Sequence, residues 1–128
     1  MKRSLMQVYV QGSAQAVAFY EKAFTATLIC SYPNADGTLI HAELDIQGQI
    51  LALSERNSEN AIQSEETITG NTMQFCLQYG AGNEDLVRNV YEVLKIGAQI
   101  IAPLAPCAYS PLMTALIDKY GISWCLFV

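Results

Sequence analysis

Two stretches of this chain repeat one another. Phe19-Tyr20-Glu21 in the first half aligns with Val90-Tyr91-Glu92 in the second, and an alanine follows each, at Ala26 and Ala98. Both sit in the same order of patterns: a β-rich run, a helical stripe, then three more β-rich runs. An internal repeat of this size signals one supersecondary unit built twice. Each unit reads β-α-β-β-β. Two such modules side by side give an α+β fold, a curled eight-stranded mixed sheet (a cup) with both helices outside. At 128 residues the expectation is a single domain over 1–128. Its internal modules are 1–55 and 71–128, joined by a polar linker, 56–70.

In the first module, residues 5–10 alternate as a strand. Ser13 is a candidate cap for a helix over 14–24, whose apolar stripe is Ala16, Phe19, Tyr20, Ala23 and Phe24. Strands follow over 27–32, 39–46 and 50–54, with turns at 33–37 and 47–49. In the second of these, Ile40, Ala42, Leu44 and Ile46 share one face, and His41, Glu43 and Asp45 the other.

Residues 56–70 have no apolar period. Glu55, Glu59, Glu65 and Glu66 read as part of a solvated linker. The second module opens with a strand over 71–79. Asn83 is the candidate cap of a helix to about residue 96, with Leu86, Val90, Val93 and Leu94 apolar and Gly97 ending it. A short strand over 99–102 precedes a Pro-rich segment, 103–111, whose Tyr109 could sit in a lid over the cup. Strands over 112–117 and 122–128 close the chain around a turn with Asp118 and Gly121.

Composition excludes several classes. A net charge of −5 argues against nucleic acid, which selects a basic surface. No apolar run approaches the roughly 18 residues of a membrane span, and the first residues lack the apolar region of a secretory signal. The expectation is a cytoplasmic protein with reduced thiols. Its four cysteines, Cys30, Cys76, Cys107 and Cys125, have no CxxC spacing for a structural zinc site. With 52% hydrophobic and 15% charged residues, leftover apolar surface suggests a subunit contact.

Four pieces carry a family resemblance: Ala16-Val-Ala-Phe-Tyr-Glu-Lys-Ala-Phe24, Leu39-Ile-His-Ala-Glu-Leu-Asp-Ile46 with Leu51-Ala-Leu-Ser54, Gly97-Ala98 with Pro103-Leu104, and Asp118-Lys-Tyr-Gly-Ile-Ser-Trp124. In this order they resemble the vicinal oxygen chelate superfamily (glyoxalase and bleomycin-resistance folds), in particular its PhnB-like branch. The chain departs from that pattern in places. Phe24-Thr25-Ala26 stands for Phe-Gly-Ala, and Asp118-Lys-Tyr-Gly121 for Asp-Pro-Phe-Gly. The resemblance implies a homodimer. It also implies that metal enzymes of the family carry His, Gln or Glu ligands on the first and last strands of each module, pointing into the cup. Counted from Phe19-Tyr20, those positions fall at Leu5, Ala52, Thr72 and Cys125, or two residues along at Gln7, Ser54 and Gln74. Neither set suits a divalent cation, which selects carboxylate and imidazole donors, so no metal and no cofactor are expected.

With Leu5 facing inward, period two sends Gln7, Tyr9, Ser54, Gln74, Cys76 and Cys125 into the cup, and leaves Met6, Val8, Val10, Met73, Phe75, Leu77 and Trp124 on the helix-packed side. A wall of amides, a phenol and thiols suits a small, moderately polar organic ligand. The same groups could equally hold water or meet across a dimer seam. His41 and Glu43 have three readings: they hydrogen-bond to each other or to neighbours, they contact ligand, or with a third group they hold zinc or iron. The candidate ligand-binding set is thus Gln7, Tyr9, His41, Glu43, Ser54, Gln74, Cys76, Tyr109 and Cys125. No catalytic residue is assigned.

The function expected is metal-independent small-molecule binding. The alternatives are a metal-dependent enzyme of glyoxalase or dioxygenase type, and a metal-free lyase or isomerase with His41 or Glu43 as base. Some family members are called demethylubiquinone methyltransferases; this chain has no glycine-rich methyl-donor loop, so that activity is not expected.

Overall fold

The computed structural model describes residues 1–57 and 72–128. Glu59, Glu65 and Glu66 of the expected linker lie outside the described residues. The chain divides into two compact units, Met1–Ile68 and Thr69–Val128. The first contains β1 (Met6–Val10), α1 (Ser13–Phe24), β2 (Thr27–Pro33), β3 (Leu39–Ile46) and β4 (Gln49–Glu55); the second contains β5 (Phe75–Gln78), α2 (Glu84–Leu94), β6 (Gln99–Cys107), β7 (Ser110–Ile117) and β8 (Ser123–Phe127). Each unit is therefore βαβββ, and each makes a four-stranded mixed sheet. The strand orders are β1-β4-β3-β2 and β5-β8-β7-β6. The parallel pairs are β1 with β4 and β5 with β8; the other neighbours are antiparallel.

Alternation sets the first core. Val8, Val10, Ala42, Leu44, Ile46, Leu51 and Leu53 are buried on one sheet face, against Ala16, Val17, Tyr20, Ala23 and Phe24 of α1. Each buried leucine or valine contributes about 1.5–3 kcal/mol of transfer free energy. Ile40, expected on that face, is 59% exposed, while Leu39 is buried. The register passes from Tyr32↔His41 to Pro33↔Leu39, so Ile40 is an extra residue on β3. A β-bulge of this kind reverses the alternation beyond it.

α1 is capped from a distance. Gly12, at φ 80, precedes the helix, and Ser13 is its first residue rather than its cap. The Glu55 carboxylate, at the end of β4, accepts from Gly12 N at 3.1 Å, Ser13 N at 2.9 Å and Ser13 Oγ at 2.8 Å. Ser13 Oγ in turn accepts from Leu39 N at 2.8 Å. A carboxylate at the positive end of a helix satisfies N–H groups that have no partner within it. Glu55 is thus part of the packed module and not a solvated linker residue.

The second unit repeats this plan with differences. The buried stripe of α2 is Val87, Val90 and Leu94, so Val87 replaces the expected Leu86, which is 38% exposed. The helix stops at Leu94, and Gly97 closes its turn at φ 72. Asn83 precedes α2 without a side-chain cap; its Nδ2 donates to Tyr79 O at 2.7 Å. β5 is shorter than expected, so Thr72, Met73 and Gln74 lie before it, and Met73 is 81% exposed rather than packed. β6 runs through the Pro-rich segment. Pro103 and Pro106 are tolerated because β6 is an edge strand, where a missing N–H leaves no ladder bond broken. Ala108 and Tyr109 form the β6–β7 turn, so Tyr109 is not in a lid loop. The Tyr79 hydroxyl is buried without a hydrogen-bond partner among the described residues, and burial pushes that phenol up to about 12.

The edge strands β2 and β6 share an irregularity. Leu28↔Leu44 is followed by Cys30↔Glu43, and Ile100↔Leu116 by Ala102↔Ala115. Ile29 and Ile101 are thus bulged at corresponding places, and they are 52% and 56% exposed.

The closing hairpin turns on Asp118, which is 3% exposed. Its Oδ1 accepts from Tyr120 N at 2.9 Å and Ile122 N at 3.1 Å, and its Oδ2 accepts from Trp124 Nε1 at 2.9 Å. Gly121 takes φ 84 in this turn. Trp124 is fully buried in the second core.

Candidate functional site

In each unit one sheet face packs its helix and the other does not. The nine candidate residues separate into two groups, one on each sheet.

On the first sheet, Gln7 stands opposite Ala52, and Tyr9 opposite Ser54. Glu43 stands opposite Ala52 on one side and Cys30 on the other. The register therefore sets Gln7, Ala52, Glu43 and Cys30 in one row across four strands. Gln7 Nε2 donates to Ser54 Oγ at 3.2 Å and to Val8 O at 3.0 Å. Ser54 and Glu43 are buried although α1 covers the opposite face, while Tyr9 is 47% exposed.

Glu43 is the electrostatic centre of that face. Arg3 Nη1 donates to its Oε2 at 2.9 Å and Arg3 Nη2 to its Oε1 at 2.8 Å, a two-pronged pairing. His41 Nε2 lies 3.0 Å from Oε1. The Arg3 hydrogen bonds, then the His41 contact, hold the carboxyl down to about 2, well below its ordinary 4.5. Glu43 is consequently an acceptor only, which makes Nε2 the donating nitrogen of His41 in this contact. Tyr32 faces His41 with ring centroids 6.5 Å apart. Arg3 lies before β1 and has no motif around it; only the fold brings it to Glu43.

On the second sheet, Cys76 stands opposite Cys125 on the parallel pair β5 and β8. Gln74 Nε2 donates to Ser123 Oγ and Trp124 O, both at 3.3 Å, and Cys76 Sγ donates to Gln74 Oε1 at 3.8 Å. Tyr109 packs edge-on against Phe127 at 5.4 Å. Its phenol is raised by Cys125 first, then by desolvation and Cys107. Burial, then Cys76, push the Cys125 thiol up. Cys107, absent from the expected set, joins this group because β6 extends further than its prolines suggested.

These donors do not fit a hard divalent cation. Ala52 supplies no donor, and the register sets Gln7, not Leu5, opposite it; likewise Cys76, not Thr72, stands opposite Cys125. The first-and-last-strand positions thus offer one amide and two thiols. Both oxygens of Glu43 are engaged by Arg3. Among the described residues, no group of three or more His, Cys, Asp or Glu is arranged to hold a metal ion. Among them also, no helix is long and apolar enough to cross a membrane.

No protein-family model and no curated protein matches the chain. Solved structures do. The PhnB protein from Bacillus cereus, which carries the name 3-demethylubiquinone-9 3-methyltransferase, has a TM-score of 0.79 at 23% identity over 98% of each chain. Protein PA1353 from Pseudomonas aeruginosa has a TM-score of 0.81 at 18% identity, covering 99% of this chain and 97% of that one. A mutant of the fosfomycin resistance protein FosX from Listeria monocytogenes, complexed with Mn(II) and 1S,2S-dihydroxypropylphosphonic acid, has a TM-score of 0.66 at 18% identity, covering 98% and 90%. Two βαβββ units, each with a mixed sheet and one helix, together with these likenesses over nearly the whole length, give the chain the fold of the vicinal oxygen chelate superfamily.

Proposed function

We propose that the chain is a cytoplasmic, metal-independent binding protein for a small, moderately polar organic molecule. Its two units would act as one domain and two copies would pair. The observation that carries this reading is the first sheet's helix-free face. There Glu43 and Ser54 are buried beside Gln7 and His41. Convergent polar groups of this kind orient a ligand. The second sheet adds Gln74, Cys76, Cys125 and Tyr109 to the proposed set. FosX was captured with Mn(II) and a phosphonic acid, but the corresponding strands here carry Gln7, Ala52, Cys76 and Cys125, so metal-assisted chemistry is not carried over. Nor is methyl transfer, since the chain has no glycine-rich donor loop.

The test is direct. Protein purified without chelator should hold Mn, Zn, Fe and Ni far below one equivalent by elemental analysis, and run at twice the chain mass by light scattering. Compounds from a small-organic library should raise its melting temperature. Gln7→Ala and Ser54→Ala should each weaken such a compound about tenfold, the loss of one hydrogen bond. A stoichiometric metal, or a library in which no compound shifts the melting temperature, would sink the reading.

A second reading rests on the His41–Glu43 contact. An imidazole oriented by a carboxylate that is ionised at neutral pH is arranged for proton transfer, which suits a metal-free lyase or isomerase. Turnover of a bound compound that vanishes in His41→Gln, with binding retained, would favour it; binding without turnover removes it.

A further inference from the structure

We propose that Cys76 and Cys125 form an oxidisable thiol pair that closes to a disulfide between β5 and β8, the first two strands in the order of the second sheet. They are register partners on adjacent parallel strands, so both side chains leave the same sheet face. Neighbouring strands lie about 4.8 Å apart, inside the Cα separation of about 4.4–6.8 Å that a disulfide spans.

The two thiols differ in the way a sequential oxidation requires. Cys76 is exposed and Cys125 buried, so a small hydroperoxide meets Cys76 first. With hydrogen peroxide as oxidant, the Cys76 thiolate attacks one oxygen and the O–O bond breaks. Sulfenic acid forms on Cys76 and hydroxide leaves, taking a proton to become water. The Cys125 sulfur then attacks the sulfenic sulfur. The S–O bond breaks, and the hydroxyl departs as a second water with the Cys125 proton. Two thiols and one peroxide thus give one disulfide and two waters. Burial, which raises the Cys125 thiol, assigns it the resolving role. Cys107, at the end of β6, is the competitor.

The experiment treats the reduced full chain with equimolar hydrogen peroxide, blocks remaining thiols, and maps linkages by peptide mass spectrometry. The expected product is a monomeric Cys76–Cys125 disulfide, reversed by dithiothreitol. It closes a loop of about 50 residues and raises the melting temperature by several degrees. Cys107→Ser should still form it. Cys76→Ser, at an exposed site that tolerates the change, should not. Cys125→Ser, if it folds, should accumulate sulfenic acid on Cys76 that dimedone traps. A linkage through Cys107, a disulfide between chains, or sulfinic acid on Cys76 in the wild-type chain would each overturn the proposal. So would an unreacted pair.

Discussion

Thr25 ends α1 in a conformation that a β-branched residue rarely adopts. Its φ is 51 and its ψ 43, and Ala26 N bonds back to Glu21 O at 3.1 Å across it. The family pattern has glycine here, and the geometry explains why, since left-handed backbone costs a residue with a Cβ about 1–2 kcal/mol. Glycine loses more entropy on folding, which offsets part of the gain. Thr25→Gly should therefore stabilise the protein by about 1 kcal/mol, read as a higher urea midpoint at unchanged slope. An unchanged or lower midpoint would show that Thr25 is not strained. The departure from Phe-Gly-Ala was visible in the sequence; its conformational meaning needed the helix end. Arg3 lies at the other extreme. Nothing around it in the sequence points to Glu43, because the two meet only when the segment before β1 crosses to β3. His41 and Glu43, two apart on one strand, were legible as neighbours.

At the level of elements, patterning located the strands and helices but not their irregularities. Period two assigned Val8, Leu44 and Leu53 to the core. It misplaced Ile40 because a bulge has no residue signature of its own. Proline was read as punctuation at Pro103 and Pro106, a rule that fails on an edge strand with its N–H groups turned away from the sheet. Glu55 caps a helix that begins 42 residues before it, a contact no local window contains. The β7–β8 hairpin was read from its turn alone, yet Asp118 also fixes Trp124. Asp118→Asn would turn an amide N–H₂ or a shared oxygen toward three N–H donors and leave one unsatisfied in the core. The expected loss is about 2 kcal/mol, measured by chemical denaturation. In a Trp124→Phe background, which has no indole N–H, the same change should cost less. An equal cost in both backgrounds would show that the Asp118–Trp124 bond contributes nothing.

For the whole molecule, the Glu43 cluster sets a pH response. Its carboxyl stands at about 2 in the folded chain against an ordinary 4.5. A depressed carboxyl contributes stability that is complete above about pH 4.5 and lost as pH falls toward 2. Denaturation midpoints should accordingly decline across that window in the wild-type chain and decline less steeply in Glu43→Gln. Parallel curves would show that other carboxyls govern acid unfolding.

The bulges at Ile29 and Ile101 bear on how the molecule behaves in a crowd. β2 and β6 are sheet edges with apolar side chains in solvent: Leu28, Ile29 and Tyr32 on one, Ile100 and Ile101 on the other. A flat edge of that composition would recruit further strands and grow into aggregates. The extra residue kinks each edge and breaks its hydrogen-bonding rhythm, and Pro33, Pro103 and Pro106 remove donors along the same margins. The duplicated irregularity thus works as a paired safeguard against strand-by-strand polymerisation, one on each half of the chain.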